Sequence, residues 1–243
     1  MKALVFAAGL GTRLKPLTDT QPKALVQVAG KPLLEHVICK LIANGFDRII
    51  VNVHHFAGQI IDFIEKNNAF GADIVISDER DALLDTGGGI KKAGWFLNED
   101  EPFLVHNVDI LSNLDLTALY HYHCAHGGLA SLVVNDRETS RYLLFDNDLR
   151  LAGWENRMTG EIKSPYAPFD ARQCKALAFS GIHLLSPAVF QKMESWSGKF
   201  SIIDFYLSIA TGEDIYAYIP PMFQMIDVGT VDSLQKAEMF LSQ

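Results

Sequence analysis

A chain of 243 residues, 49% hydrophobic and 21% charged, has the make-up of a globular protein of one domain, or of one domain with a small insertion. At this length folding buries roughly 70–75% of the surface exposed by the unfolded chain, so the core needs neither a disulfide nor a structural metal. A net charge of −8 argues against nucleic acid as a partner, since binding to a phosphate polymer needs clustered Lys and Arg, and no apolar run reaches the ~20 residues of a membrane span.

The apolar run Ala3 to Ala8 reads as a strand buried on both faces, and Gly9-Leu10-Gly11-Thr12-Arg13 interrupts it too early for a signal peptide. A loop follows. Leu33, Leu34, Val37, Ile38, Leu41 and Ile42 recur at helical spacing, with Asn44-Gly45 as the stop. Ile49 to Val53 predicts a second strand and Ile60, Ile61, Phe63 and Ile64 a second helix; then come strand Ile74 to Ile76, a helix opening at Gly88 or Gly89, and strand Phe103 to Val105. This alternation predicts an α/β layer structure with a mainly parallel sheet. The second half differs. Tyr142 to Phe145 and Leu149 to Leu151 read as a hairpin around Asp146-Asn147-Asp148, with further strands over Ala176 to Leu185 and Ile215 to Ile219, as in an antiparallel lobe grafted onto the sheet. Cys39, Cys124 and Cys174 are far apart and form no Cys-x-x-Cys, the pattern of a reducing compartment, so a cytoplasmic location is expected. His121, His123 and His126 crowd one helix and read as a solvated surface; His54-His55 follows a strand end without an evident role.

Three features carry chemistry. Gly9-Leu10-Gly11-Thr12-Arg13-Leu14 lies where a buried strand gives way to a loop, and its glycines let N–H groups converge on an anion. Leu14 stands where a dinucleotide fingerprint needs a third glycine, and no P-loop occurs, so by itself the segment is equally a tight turn. Arg13 and, ten residues on, Lys23 could close over a polyphosphate, Arg as a planar fork and Lys as a point charge. The second feature, Thr86-Gly87-Gly88-Gly89 before a helix, would let bare backbone approach a base or phosphate. The third is a pair of aspartates at strand ends, Asp109 and Asp227, which suit Mg2+ completed by phosphate oxygens and water but could also simply cap the loops that follow. Gly229 and Thr230, a candidate N-cap, shape the turn after Asp227.

Ala7-Ala8-Gly9-x-Gly11-Thr12-Arg13, followed by Pro22-Lys23-x-Leu25, resembles the signature of the sugar-phosphate nucleotidyltransferase family, and the resemblance extends to almost the whole chain. It implies a three-layer α/β/α, Rossmann-like (GT-A-like) fold with a mixed, mainly parallel central sheet and a small antiparallel sugar-binding lobe. It implies one domain over residues 1–243, the nucleotide-binding part at about 1–110 and the sugar-binding part at about 111–243. In the family pattern Ala8, Gly9, Gly11, Thr12 and Arg13 wrap the nucleoside triphosphate and Lys23 holds the reacting phosphates. Thr86, Gly87, Gly88 and Gly89 meet the base, Asp109 and Asp227 bind Mg2+, and Asn107, Glu155 and Gly181 lie near the sugar. The implied reaction couples a sugar 1-phosphate to the triphosphate, giving a nucleotide sugar and pyrophosphate. The wording Thr86-Gly87-Gly88-Gly89-Ile90 looks most like uridylyltransferases acting on N-acetylmuramic acid 1-phosphate, a cell-wall sugar, which favours UTP; mannose-1-phosphate guanylyltransferases, which use GTP, are similar. A phosphocholine cytidylyltransferase and a non-catalytic regulatory protein of the same fold are the alternatives. The chain departs from the pattern at one point: Trp154-Glu155-Asn156-Arg157 stands where many relatives carry Glu-Lys-Pro, so Arg157, Lys163 or the metal would have to replace that lysine.

Overall fold

The first strand, β1 (Lys2–Phe6), sorts the two layers of the core: Ala3 and Val5 face one hydrophobic cluster and Leu4 the other. That is the period-two geometry of a strand covered on both faces. The computed structural model describes residues 1–242. After β1 come a short ladder of β2 (Gln27–Val28) with β3 (Lys31–Pro32), α1 (Leu33–Ala43), β4 (Arg48–Val53), α2 (Ala57–Lys66) and β5 (Asp73–Asp78). Next are α3 (Asp85–Lys92), α4 (Gly94–Leu97), β6 (Phe103–Asn107), β7 (Ile110–Ser112) and α5 (Leu116–His126). The second half adds β8 (Ala130–Asn135), β9 (Arg141–Phe145), β10 (Leu151–Asn156), β11 (Glu161–Lys163) and β12 (Lys175–Leu185). It ends with α6 (Val189–Lys192), α7 (Ile202–Ile209), β13 (Ile215–Tyr218), β14 (Met225–Asp227) and α8 (Val231–Leu241).

Ten strands form one sheet in the order β11-β10-β9-β12-β6-β1-β4-β5, with β8 on β12 and β13 on β8. β6, β1, β4 and β5 run parallel. β12 joins this block to the antiparallel lobe, pairing Ile182–Leu185 with β6 and Lys175–Leu177 with β9. Leu33, Leu34, Ile60, Leu116 and Ala237, from α1, α2, α5 and α8, pack with Ile49, Val51 and Leu104 on one face of the sheet. Ile90, Leu97, Val189 and Phe205, from α3, α4, α6 and α7, pack with Ile50, Phe103 and Val105 on the other. The expected three-layer architecture follows from this division. No helix among the described residues is long and apolar enough to cross a membrane.

Three local expectations are corrected. β1 stops at Phe6, short of Ala8, because the N–H groups of Ala7 and Ala8 donate to Asn52 Oδ1 at 2.7 and 3.2 Å in place of a neighbouring strand. α3 opens at Asp85, ahead of its glycines, since the N–H groups of Gly87 and Gly88 find an acceptor in the Phe200 carbonyl at 2.9 and 3.3 Å. The solvated histidine surface fails at His123, which is 1% exposed: it shares the inner face of α5 with Leu119, and its ring nitrogens meet Ser131 Oγ at 2.9 Å and Ser186 Oγ at 3.0 Å. His121 and His126 are exposed.

Burial pushes the His123 imidazole down to about 4, and that of His183, whose Nδ1 meets the Tyr206 hydroxyl at 2.8 Å, to about 3. Both folded values lie below the ordinary ~6.5 of the unfolded chain, so the unfolded state binds more protons at mildly acid pH. Their contribution is complete above ~6.5 and is lost as pH falls toward the folded values, on the order of 2 kcal/mol each at pH 5. Denaturant unfolding should show a clear loss of stability between pH 7.5 and pH 5, and a shallower loss in His123→Asn; equal midpoints at the two pH values would refute this account.

Candidate active site

Past Ala8 the chain leaves the sheet as Gly9-Leu10-Gly11, whose N–H groups meet no acceptor among the described residues. Gly11 adopts φ +64°, and a Cβ there would stand 2.8 Å from Thr18 Cγ2, while the Thr18 hydroxyl donates to the Gly11 carbonyl at 2.8 Å. Only glycine meets both demands. The result is a loop of unengaged donors, a concavity suited to phosphate oxygens.

Lys23 opens a short 3-10 turn after Pro22, is 8% exposed, and pairs through Nζ with Asp109 Oδ2. Asp109 sits in the turn between β6 and β7, and Asp227 ends β14. The β7–β14 ladder sets Asp227 opposite Ile110, and the Val228 N–H donates to the Asp109 carbonyl at 2.8 Å. A Cβ on Gly229 would meet Arg13 Nη2 at 2.9 Å and Asp227 Oδ1 at 3.0 Å, so Arg13 reaches the same spot. Thr230 then caps α8 in a reciprocal pair with Ser233. Burial, and next the charge of Asp109, push the Asp227 carboxyl above the usual range; Lys23, Arg13 and Arg137 pull it the other way.

Two carboxyl groups, the half-buried Asp109 and the exposed Asp227, near enough for the charge of one to act on the other, fit a divalent cation. Mg2+ takes one or two carboxylates and completes its shell with phosphate oxygens and water, so the pair suffices only together with a phosphate ligand. No set of three potential metal-ligating side chains occurs among the described residues.

A cavity of about 480 Å³ is lined by Ala8 to Arg13 and by Lys23, Asn107, Asp109 and Gly229, with Glu79, Asp85 and Thr86 also in its wall, while Asp227 lies behind Gly229 and lines neither cavity. Gly87, Gly88 and Gly89 are buried behind Thr86 and line neither cavity. Cβ atoms there would come within 2.3 Å of the Phe200 ring, 2.5 Å of the Gly198 carbonyl and 2.8 Å of the Phe6 ring respectively, so the three glycines serve close helix packing. Sequence reasoning missed Asn52, Glu79 and Lys199, all of which line this cavity. Glu79 is 1% exposed; its Oε1 accepts from Asn52 Nδ2 at 2.9 Å, its Oε2 from the Leu84 N–H at 3.2 Å, and its carbonyl meets His54 Nδ1 at 2.7 Å. Asn52, the one polar residue within Ile49 to Val53, was the available signal; Glu79 carried none.

A second cavity of about 360 Å³ is lined by Arg137, Arg141, Tyr142, Trp154, Phe179 and Asp204 among others. Gly181 links the two: at φ +77° it packs on Asn107, with Nδ2 only 2.5 Å from where a Cβ would stand. Glu155 lines neither cavity and is held by Arg157 Nε at 2.7 Å. The Arg157 guanidinium lies 4.1 Å from the Tyr142 ring centroid, and Lys163, in the second cavity, pairs with Asp204 at 3.1 Å.

Known proteins share this sequence and fold. A family model described as Nucleotidyl transferase matches residues 2–243. An N-acetylmuramate alpha-1-phosphate uridylyltransferase of Caulobacter vibrioides is 33% identical over 90% of this chain and 88% of that protein. Mannose-1-phosphate guanylyltransferase 1 of Arabidopsis thaliana is 31% identical over 94% of this chain and 61% of that protein. The solved structure of a UDP-glucose pyrophosphorylase from Acinetobacter baumanii matches with a TM-score of 0.78 over 98% of this chain and 92% of that one, at 18% identity, and so speaks for the fold.

The packing of the glycine run makes its own forecast. A methyl at Gly88 would press on the backbone oxygen of Gly198, which has no flexible side chain to give way. Gly88→Ala should lose about 1–3 kcal/mol of stability through overpacking and weaken nucleotide binding by displacing Thr86. Gly9→Ala, where nothing lies within 4 Å of the new atom, should keep wild-type stability. Thermal unfolding of the two variants, with and without nucleotide, is the check, and equal melting points would contradict the packing role.

Proposed function

Because the chain belongs to the Nucleotidyl transferase family, we propose that it joins a sugar 1-phosphate to a nucleoside triphosphate, with UTP and N-acetylmuramate 1-phosphate as the substrates. The observation that carries the reading is the convergence of Arg13, Lys23, Asp109 and Asp227 beside the loop of unengaged N–H groups. In this reading Ala8 to Arg13 cradle the triphosphate, Thr86 faces the nucleoside, and the second cavity takes the sugar. Residues 1–110 form the nucleotide part and 111–243 the sugar part of one working unit. The three cysteines are all free thiols, in keeping with a cytoplasmic enzyme.

The chemistry needs alignment and charge compensation in place of a protein nucleophile. An oxygen of the sugar phosphate forms a bond to the α-phosphorus. The bond from that phosphorus to the oxygen bridging the β-phosphate breaks, and its electron pair leaves with pyrophosphate. Arg13 and Lys23 stand where they can offset the charge that grows on the leaving group. Mg2+, bound by Asp109 and Asp227, would supply further charge neutralisation on the phosphates.

The choice of UTP and N-acetylmuramate draws on the Caulobacter relative, which is matched over nearly its whole length. It also fits the Arg141 side chain of the second cavity, since this sugar carries a carboxylate of its own. One observation favours a second reading. Glu79 lines the first cavity with one lone pair per oxygen still free after its bonds to Asn52 and Leu84, and guanine presents N1–H and N2–H2 side by side where uracil presents N3–H alone. Comparing kcat/KM for UTP and GTP across N-acetylmuramate, glucose and mannose 1-phosphates decides between them, and a GTP preference with mannose 1-phosphate would replace the uridylyltransferase reading.

Asp109→Asn and Asp227→Asn should each lower turnover at least about 100-fold, the scale of losing one preorganised electrostatic group; full activity in EDTA would overturn the metal assignment. Lys23→Ala should slow the single-turnover step more than it weakens triphosphate binding, because its contact strengthens as charge moves toward pyrophosphate. A single-turnover rate equal to that of the wild type would remove Lys23 from the mechanism.

A further inference from the structure

Resting on the sugar 1-phosphate reading above, we infer that Arg137 is the cation that holds the phosphate of the acceptor. The two basic side chains of the hairpin region, Arg157 and Lys163, are both engaged. Arg157 is paired with Glu155 and stacked on Tyr142, and Lys163 is paired with Asp204.

Arg137 is placed differently. It lies two residues beyond β8, lines the second cavity, and makes no ion pair among the described residues. Its Nη2 donates to the Phe179 carbonyl at 3.0 Å, while its Nε is buried without a partner. A guanidinium stays protonated, so a buried N–H of this kind is costly until an acceptor arrives. Arg137 lines the second cavity, and a phosphate entering it matches the guanidinium fork. Phe179 is two residues from Gly181, which packs on Asn107 of the first cavity. The charge of Arg137 also acts on Asp227. Arg137 is thus tied, through the Phe179–Gly181 stretch, to Asn107 of the first cavity, so a phosphate held by it lies beside the wall that the proposed triphosphate site uses. Arg141, the other cation of this cavity without an ion pair among the described residues, is exposed.

The test uses the full chain and the variants Arg137→Gln, Arg137→Lys and Arg141→Gln. For the sugar 1-phosphate turned over by the wild type, Arg137→Gln should raise the acceptor KM at least tenfold and leave the triphosphate KM within twofold. Arg137→Lys, which keeps the charge without the fork, should recover part of the loss and remains informative if the Gln variant does not fold. Calorimetric titrations with glucose 1-phosphate, N-acetylmuramate 1-phosphate and free N-acetylmuramate separate the anions. Loss of both phosphate esters alike supports the assignment; loss confined to the two N-acetylmuramate ligands overturns it in favour of a carboxylate contact. A loss seen in Arg141→Gln but not in the Arg137 variants overturns it as well. Were no acceptor turned over by the wild type, the functional reading alone would fall, and the titrations would still decide on Arg137: equal affinities in wild type and variants reject it.

Discussion

The short ladder between β7 and β14 is the constraint on which the site depends. It is only three residue pairs long, yet it brings a turn at the edge of the parallel block against a segment near the end of the chain. Through it the Asp109 backbone accepts a hydrogen bond from Val228, and the charge of Asp109 is brought to bear on the Asp227 carboxyl. Their repulsion has to be met from elsewhere, and Lys23 and Arg13 meet it from the loop that follows β1. Lys23 and Asp109 are both largely withdrawn from water, so removing either leaves a charge with little solvent to stabilise it. The cations serve the folded protein first, as counter-charges to the two carboxyl groups.

Much of this was legible in the sequence, for physical reasons that can be named. Buried parallel strands announce themselves as continuous apolar runs, and the central strands at Leu4, Ile50 and Leu104 lie where those runs place them. Gly11 and Lys23 stood out because backbone conformation and charge are local properties. The misreadings share one cause, which is that a side chain's partner can lie far along the chain. Gly87 to Gly89 suggested an open backbone, whereas the Phe200 segment covers them. His123 looked solvated until Ser131 and Ser186 supplied its partners from β8 and from the turn after β12. Glu79 and Arg137 acquire meaning only from what the fold sets around them.

β12 divides the labour between the two cavities. Its later residues belong to the parallel block and its first residues to the antiparallel lobe, and the register slips between Phe179 and His183 where the two meet. A bulge of this kind re-aims side chains and tightens the local twist. Here it coincides with Gly181, whose missing side chain makes room for Asn107, and with the Phe179 carbonyl that receives Arg137. One irregular stretch of strand thus fixes Asn107 in the lining of the first cavity and Arg137 in that of the second.

The contact between the start of α3 and the segment before α7 has a thermodynamic consequence. Phe200 accepts from Gly87 and Gly88, the Ile202 N–H donates to Thr86 Oγ1 at 3.0 Å, and Ser201, Ile203 and Asp204 line the second cavity. Thr86, in the wall of the first cavity, is thus bonded to the strip that carries Ser201, Ile203 and Asp204 into the wall of the second, and a ligand that shifts one wall does work on the other. Such linkage is reciprocal: whatever the first occupant adds to the affinity of the second, the second returns to the first. Filling of the two chambers becomes a correlated event, coupled through three hydrogen bonds, two between backbone groups and one from a backbone N–H to the Thr86 hydroxyl.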